Sequence, residues 1–165
     1  MEEAADSNQA IYAWGDESMR SVGVPAPIFL LGAVLTVVTA AALARETIRS
    51  VNTTGHKLHW RDLEHKDKLH SARAIADLKL DHVVVAAGPL DPKRQERARA
   101  KCLERLCWEI ETRGGKNLYL EARTPSLNRR DRALIPQLRG AKALPLGRHQ
   151  DLLPGSRGMS IWRAF

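Results

Sequence analysis

Cysteine is scarce in this sequence, and the two cysteines present do not suggest a disulfide framework. Cys102 and Cys107 are the only cysteines among 165 residues. Their spacing in an apparent helix turns them about 140° apart around its axis, so they point in different directions. No Cys-x-x-Cys metal pair occurs either. We interpret both cysteines as small buried apolar residues, which is consistent with a reducing, cytoplasmic setting.

Motifs that mark several enzyme classes are also missing. The sequence contains no P-loop, no Gly-x-Gly-x-x-Gly fingerprint and no Gly-x-Ser-x-Gly elbow, so it does not support a nucleotide-dependent enzyme or a hydrolase with a nucleophile elbow. The histidines have no Cys or Glu at the usual zinc-ligand spacing. Residues 1–9 are small and acidic without a positively charged start, which predicts a flexible N-terminus and not a secretory signal.

Acidic residues are too few to balance the basic ones. Lysine and arginine total 26 against 19 aspartates and glutamates, which gives a net charge of +7 and an isoelectric point near 9.8. A basic chain favours an anionic partner, either nucleic acid or an acidic membrane surface. The alternative is that the excess charge lies on solvated helix faces. Hydrophobic residues make up 44% of the chain, enough for a globular domain.

One long hydrophobic run requires a choice between two structures. No charged residue lies between Arg20 and Arg45. Because a membrane-spanning helix needs about 20 apolar residues, a single-pass anchor at 22–44 is one interpretation. The preferred interpretation is a buried strand at 28–38 followed directly by a helix at 40–49. Branched residues fill the first part of the run, and Thr39 has the character of a helix N-cap.

Strands and helices are predicted to alternate along the chain, which indicates an α/β fold of one domain. The domain is predicted to occupy residues 10–146, with an irregular tail at 147–165. Asp91 is predicted to cap a helix, and Pro136 to end or kink another near its last turn. The predicted strands lie at 10–14, 28–38, 57–60, 80–87, 117–122 and 141–146, and the predicted helices at 40–49, 62–78, 91–113 and 126–138.

Two adjacent carboxylates follow the first predicted strand. Ile11, Tyr12 and Trp14 favour that strand, Gly15 breaks it, and Asp16-Glu17-Ser18 comes next. Carboxylates at the end of a buried strand are costly unless a cation or a donor meets them. Hard divalent cations prefer such oxygen ligands. The alternative is an ordinary polar turn after an edge strand.

Several segments, in their order along the chain, resemble one known family. An apolar strand ending in Asp16-Glu17-Ser18 is followed by a second apolar strand that contains Leu-Gly. Together with the later segments, the similarity spans roughly residues 11–146. It is a resemblance to a family of uncharacterised RNase H-like proteins that are suspected nucleases. The further segments that carry it are 57–62, 81–85, 97–106 and 118–131.

The resemblance implies an RNase H-like mixed sheet flanked by helices, with the first strand in its middle. It also implies that the strand ending in Glu121 pairs with the first strand. Asp16 and Glu121 would then hold Mg²⁺ or Mn²⁺ as catalytic residues, with Glu17 as a further ligand, and two ions would clamp the oxygens of a phosphodiester. The alternative for Glu121 is an ion pair with Arg123. The family pattern ends in a helix that bears one more Asp, and residues 147–165 do not supply it, so the fold is expected to be incomplete there.

Basic residues follow the predicted Glu121 strand. Arg123, Arg129, Arg130 and Arg132 are placed to bind phosphates of nucleic acid electrostatically, although a solvated basic face is the alternative. Asp131 is expected to pair with the arginines next to it. The preferred function is a metal-dependent nuclease or phosphodiesterase. The alternatives are a non-catalytic module of the same fold that binds nucleic acid or protein, and a membrane protein anchored by residues 22–44.

Overall fold

The computed structural model describes residues 10–52, 60–140 and 159–162. Its contacts divide the chain into two compact units, which are described separately. The larger unit comprises Ile11–Leu35 and His82–Phe165, and the smaller unit includes Thr36–Asp81. The predictions for residues 1–9 and for a strand at 141–146 lie outside the described residues.

Strands and helices alternate within the described ranges, so the predicted α/β class is confirmed. Two short 3₁₀ turns, Trp60–Asp62 and Pro92–Arg94, precede helices. The strands are β1 (Ile11–Arg20), β2 (Ile28–Val37), β3 (Asp81–Ala87), β4 (Gly115–Glu121) and β5 (Met159–Trp162). The helices are α1 (Val38–Val51), α2 (His65–Asp77), α3 (Gln95–Thr112) and α4 (Pro125–Gly140).

The strands form one mixed sheet in the order β3-β2-β1-β4-β5. Strand β1 pairs with β4 in parallel, and β4 pairs with β5 in an antiparallel ladder. In the parallel pair, Trp14 lies opposite Tyr119 and Gly15 opposite Leu120. The first strand is therefore central, and the end of β4 lies beside it. Strand β5 falls at 159–162, where no regular structure was predicted.

The core of the larger unit lies between α3 and the sheet. Leu103, Leu106 and Ile110 of α3 are at most 1% exposed, and they belong to one apolar cluster with Leu118 and Leu120 of β4. Burying a side chain of this size contributes about 1.5–3 kcal/mol. This packing fixes α3 over the β1–β4 pair and so positions the residues that α3 directs toward the sheet.

The hydrophobic run 22–44 is divided between a strand and a helix. Strand β2 ends at Val37, and α1 begins at Val38 with Val37 as its N-cap and no side-chain cap. The preferred strand-then-helix prediction is confirmed, but the predicted cap at Thr39 is wrong because that residue lies inside the helix. Among the described residues, no helix is both long and apolar enough to cross a membrane.

One sequence prediction of length is wrong, because strand β1 does not stop at Gly15 but continues through the acidic residues to Arg20. Burial also departs from the hydrophobic pattern in two elements. Val84 lies in the apolar run of β3 and is 68% exposed. Helix α2 buries Ser71 and leaves Leu69 45% exposed.

Asp91 caps the 3₁₀ turn that leads into α3 and not α3 itself. Its carboxylate accepts a hydrogen bond of 2.9 Å from the backbone amide of Lys93, whereas the N-cap of α3 is Arg94, which makes no side-chain cap bond. After the helix, Gly114 adopts a φ of +76°, a left-handed conformation that glycine tolerates best. Helix α4 runs to Gly140, two residues beyond the predicted end at residue 138, so Pro136 does not end it.

Candidate functional site

A cavity of about 90 Å³ lies in the larger unit, where β1 and β4 run side by side. Five of its lining residues are ionisable, which is more charge than an apolar packing cavity carries. Three are acidic and two are basic, which leaves an excess of one negative charge in the lining. The lining residues are Gly15, Asp16, Glu17, Leu31, Arg99, Leu120, Glu121, Ala122 and Arg123.

Asp16 and Glu121 lie one position beyond the last paired residues of the parallel strands, Gly15 and Leu120. Neighbouring strands are about 4.8 Å apart, and side chains at the same level point to the same face. The two carboxylates are therefore neighbours at one edge of the cavity. Both residues are exposed, and Asp16 Oδ1 accepts a hydrogen bond of 2.8 Å from the backbone amide of Glu17.

The face that carries these two acids also carries an aromatic cluster. Trp14 and Tyr119, two positions before Asp16 and Glu121, stack with ring centroids 5.6 Å apart and planes 12° apart. Tyr12 lies 6.0 Å from Trp14 and 6.1 Å from Tyr119 by ring centroids. Because residues two apart in a strand share a face, the acids continue this aromatic column toward the cavity.

Glu17 points to the opposite face of β1, since side chains alternate along a strand. There it forms an ion pair with Arg99, which α3 supplies. The two acids that are adjacent in sequence are thus separated by the pleat. The structure brings Asp16 and Glu121 together and assigns Glu17 to a different partner. Glu17 also lines the cavity, so a metal-ligand role for it stays a prediction beside its ion pair with Arg99.

Arg99 and Asp131 form the buried centre of an ion-pair network. They are only 3% and 5% exposed. The Arg99 Nη2 donates to Asp131 Oδ2 at 3.0 Å and Nε donates to the same oxygen at 3.2 Å. A buried ion pair is favourable only when hydrogen bonds satisfy both charges, as they do here. Asp131 was expected to pair with its neighbours in sequence, and its bonds to Arg99 show a different arrangement.

Arg123 completes the network from the segment after β4. Its guanidinium donates to Glu96 at 2.7 Å and to both carboxylate oxygens of Asp131 at 3.0 and 3.1 Å. Burial acts to lower the pKa of Arg123, but the hydrogen bond that it donates to Glu96 and the charge of Asp131 outweigh burial and raise the pKa. We define the arginine–carboxylate network as Glu17, Glu96, Arg99, Arg123 and Asp131.

The basic residues predicted to bind nucleic acid separate into two groups. Arg123 is held in the network, and its side chain is 13% exposed. Arg129, Arg130 and Arg132 lie on α4 and are exposed. Arg123 already has two carboxylate partners, Glu96 and Asp131.

Three carboxylates line the cavity, and one of them, Glu17, is already paired with Arg99. Within the described part of the chain, no three His, Cys, Asp or Glu side chains form a group that could hold a metal. Mg²⁺ usually binds one or two carboxylates and completes its shell with waters and substrate phosphates. Asp16 and Glu121 fit that smaller requirement. They would hold one ion and rely on the substrate for further oxygen ligands.

Two network residues, Arg99 and Glu96, were not identified from the sequence. A signal for Arg99 was present, because it lies three and seven positions before the buried Cys102 and Leu106 on one face of α3. A charged residue on a buried helix face normally has a buried partner. The identity of that partner, Asp131, depends on tertiary structure. The chain matches no protein-family model and shows no significant similarity to a curated protein or a solved structure.

Proposed function

We propose that this chain is an RNase H-like, divalent-metal-dependent nuclease or phosphodiesterase with Asp16 and Glu121 as its metal ligands. The observation that carries the proposal is the parallel pairing of β1 with β4, which makes these two acids neighbours. They lie at the rim of a cavity with excess negative charge. Mg²⁺ or Mn²⁺ is the ion that such oxygen ligands favour.

The sheet supports the RNase H-like part of the proposal in two respects. The first strand lies in the middle of the order, and it pairs with a later strand that ends in an acid. One feature differs from the family pattern, which ends in a helix bearing one more Asp. Helix α4 supplies an Asp, but that residue, Asp131, is bonded to arginines. The proposed site therefore rests on two ligands, and the substrate phosphate supplies further oxygens.

Each residue at the site has a distinct proposed role. Asp16 and Glu121 bind the ion, which would act as a Lewis acid on a phosphodiester oxygen when bound. Arg99 forms an ion pair with Glu17, which is therefore a further ligand in this proposal and not a principal one. The aromatic column of Tyr12, Trp14 and Tyr119 supports the two ligand-bearing strands from the same face.

Titration with Mn²⁺ by calorimetry tests the proposal directly. Wild type, Asp16→Asn and Glu121→Gln would be compared, with Glu104→Gln on the exposed face of α3 as the control. We expect each ligand variant to lose Mn²⁺ binding and cleavage of labelled nucleic acid together, while the control keeps both. Because two ligands bind weakly alone, the titration is repeated with a non-cleavable oligonucleotide. Unchanged binding in Asp16→Asn would refute the metal site.

A second candidate function is a non-catalytic module that binds nucleic acid through α4. The exposure of Arg129, Arg130 and Arg132 favours it. This function predicts affinity that falls steeply with salt and does not need a divalent ion. Charge reversal at Arg129 and Arg130 should remove most of that affinity, and unchanged binding would contradict this candidate. A cytoplasmic location stays a prediction under either function.

A further inference from the structure

Helix α3 carries a row of basic side chains on the face opposite to its buried one. The buried residues Leu103, Leu106 and Ile110 define the inner face. Residues 97, 101, 105 and 108 follow one another at intervals of four, four and three, which places them along one side of the helix. We define the α3 stripe as Arg97, Lys101, Arg105 and Trp108, all of them exposed.

The stripe is a straight and rigid array because the helix beneath it is anchored in the core. Its members span 11 positions, and at 1.5 Å per residue this corresponds to about 16 Å. Adjacent cations are about 6 Å apart along the axis. Three positive charges lie along this face against the one carboxylate of Glu104, and the net positive field attracts an extended polyanion.

An aromatic ring closes one end of the stripe. Trp108 is 41% exposed, an unusual exposure for a large apolar side chain. The Arg105 guanidinium lies 4.3 Å from the centre of its ring, a cation–π contact that holds the ring in place. Arg105 also donates to Glu109 Oε1 at 2.9 Å, which further restrains the guanidinium. An exposed ring fixed beside cations is a platform on which a nucleobase can stack.

We propose that the α3 stripe binds single-stranded nucleic acid, with Arg97, Lys101 and Arg105 on phosphates and Trp108 under a base. A linear row of cations that ends in a stacking platform matches a strand whose charges and bases alternate. An anionic membrane is less complementary, because Trp108 is the one apolar member of the stripe. The proposal does not depend on the metal site, since binding needs neither Asp16 nor a divalent ion.

Fluorescence anisotropy of a fluorescein-labelled, mixed-sequence single-stranded oligonucleotide tests the proposal, with EDTA present to remove metal chemistry. The full chain is compared with Arg97→Glu/Lys101→Glu and with Trp108→Ala. A matched control, Lys66→Glu/Arg73→Glu, makes the same change of net charge on exposed residues of α2. Far-ultraviolet circular dichroism verifies that each variant is folded.

We expect the stripe double variant to lose roughly tenfold or more in affinity and its salt slope to fall by about 1.4, or 0.7 for each lost phosphate contact. Trp108→Ala should lose about fivefold to a hundredfold, and Trp108→Phe should restore part of the loss because it keeps a ring. The control should stay close to wild type.

Three outcomes would overturn the proposal. An equal loss in the α2 control would show that only net charge matters. Unchanged affinity in Trp108→Ala would show that Trp108 does not stack on a base. Tighter binding to vesicles containing anionic phospholipid than to the oligonucleotide, lost in the stripe double variant, would assign the surface to membranes. If Mn²⁺ does not bind at Asp16, the proposed nuclease function fails, but binding of single-stranded nucleic acid by the α3 stripe is unaffected.

Discussion

Replacement of Asp131 by asparagine isolates the contribution of the arginine–carboxylate network to stability. The substitution keeps the shape of the side chain and removes its charge. Asp131 is 5% exposed and accepts hydrogen bonds from both Arg99 and Arg123. The asparagine amide would direct N–H donors toward guanidinium groups that are themselves donors only. The network would therefore lose bonds and gain a donor–donor conflict.

The expected loss of stability depends on which carboxylate partners Arg99 and Arg123 retain. Removing one partner of a buried ion pair costs about 3–5 kcal/mol, because a buried charge loses its compensation. Arg99 would still contact Glu17, and Arg123 would still be bonded to Glu96. We therefore expect the lower end of that range, about 3 kcal/mol. For a chain of this size, this lowers Tm by roughly 6–12 °C.

Thermal unfolding followed by circular dichroism would measure the change against Glu104→Gln. That control makes the same carboxylate-to-amide change on the exposed face of α3, where a shift within about 0.5 kcal/mol is expected. Unfolding in urea at fixed pH provides an independent free energy. If Asp131→Asn melts within about 2 °C of wild type, the buried network is not a determinant of stability and the reasoning is refuted.

Two further predictions concern packing around the site and the cysteines. Gly15→Ala would place a methyl group 2.7 Å from Leu120 Cδ2 and 2.9 Å from the Gly32 carbonyl oxygen, so urea unfolding should show a loss of about 1–3 kcal/mol. Gly32→Ala meets nothing closer than 3.7 Å and should lose much less; an equal loss would contradict the packing argument. Cys102 and Cys107 are 1% and 7% exposed, and burial raises the pKa of Cys102, so a thiol reagent at neutral pH should label neither until the chain unfolds. Rapid labelling of the folded chain would disprove this.

Local signals in the sequence predicted most elements of the fold. Asp91, followed by proline, marked the turn that leads into α3. The uncharged run before Arg45 was resolved correctly into a strand and a helix by its branched residues and length. These signals act within a few residues, so a sequence displays them without any knowledge of tertiary contacts.

Burial was predicted less well because it depends on which faces acquire partners. The apolar run of β3 indicated a strand covered on both sides, but Val84 is exposed. In α2, the apolar Leu69 is exposed while the polar Ser71 is 1% exposed. A hydrophobic side chain favours burial, but it is buried only if another helix or strand packs against its face. A pattern therefore predicts the type of an element more securely than its environment.

The pairing of Asp16 with Glu121 could be anticipated only through the family resemblance. The two residues are separated by the smaller unit and by α3, and nothing local indicates the parallel register that aligns them. Arg99 differs, because its position on the apolar face of α3 was a local signal of burial, although the sequence prediction did not use it. Sequence alone could identify that an ion pair was needed, but not which carboxylate would form it.

The division of Asp16 from Glu17 is the clearest consequence of strand geometry at this site. With β1 predicted to end before Gly15, both carboxylates could face one ion. Since β1 continues to Arg20, the pleat directs them to opposite faces, and Arg99 pairs with Glu17 on the α3 side. Asp16 and Glu121 are therefore the acids that share one face of the sheet, while Glu17 reaches the same cavity from the other face and links it to α3.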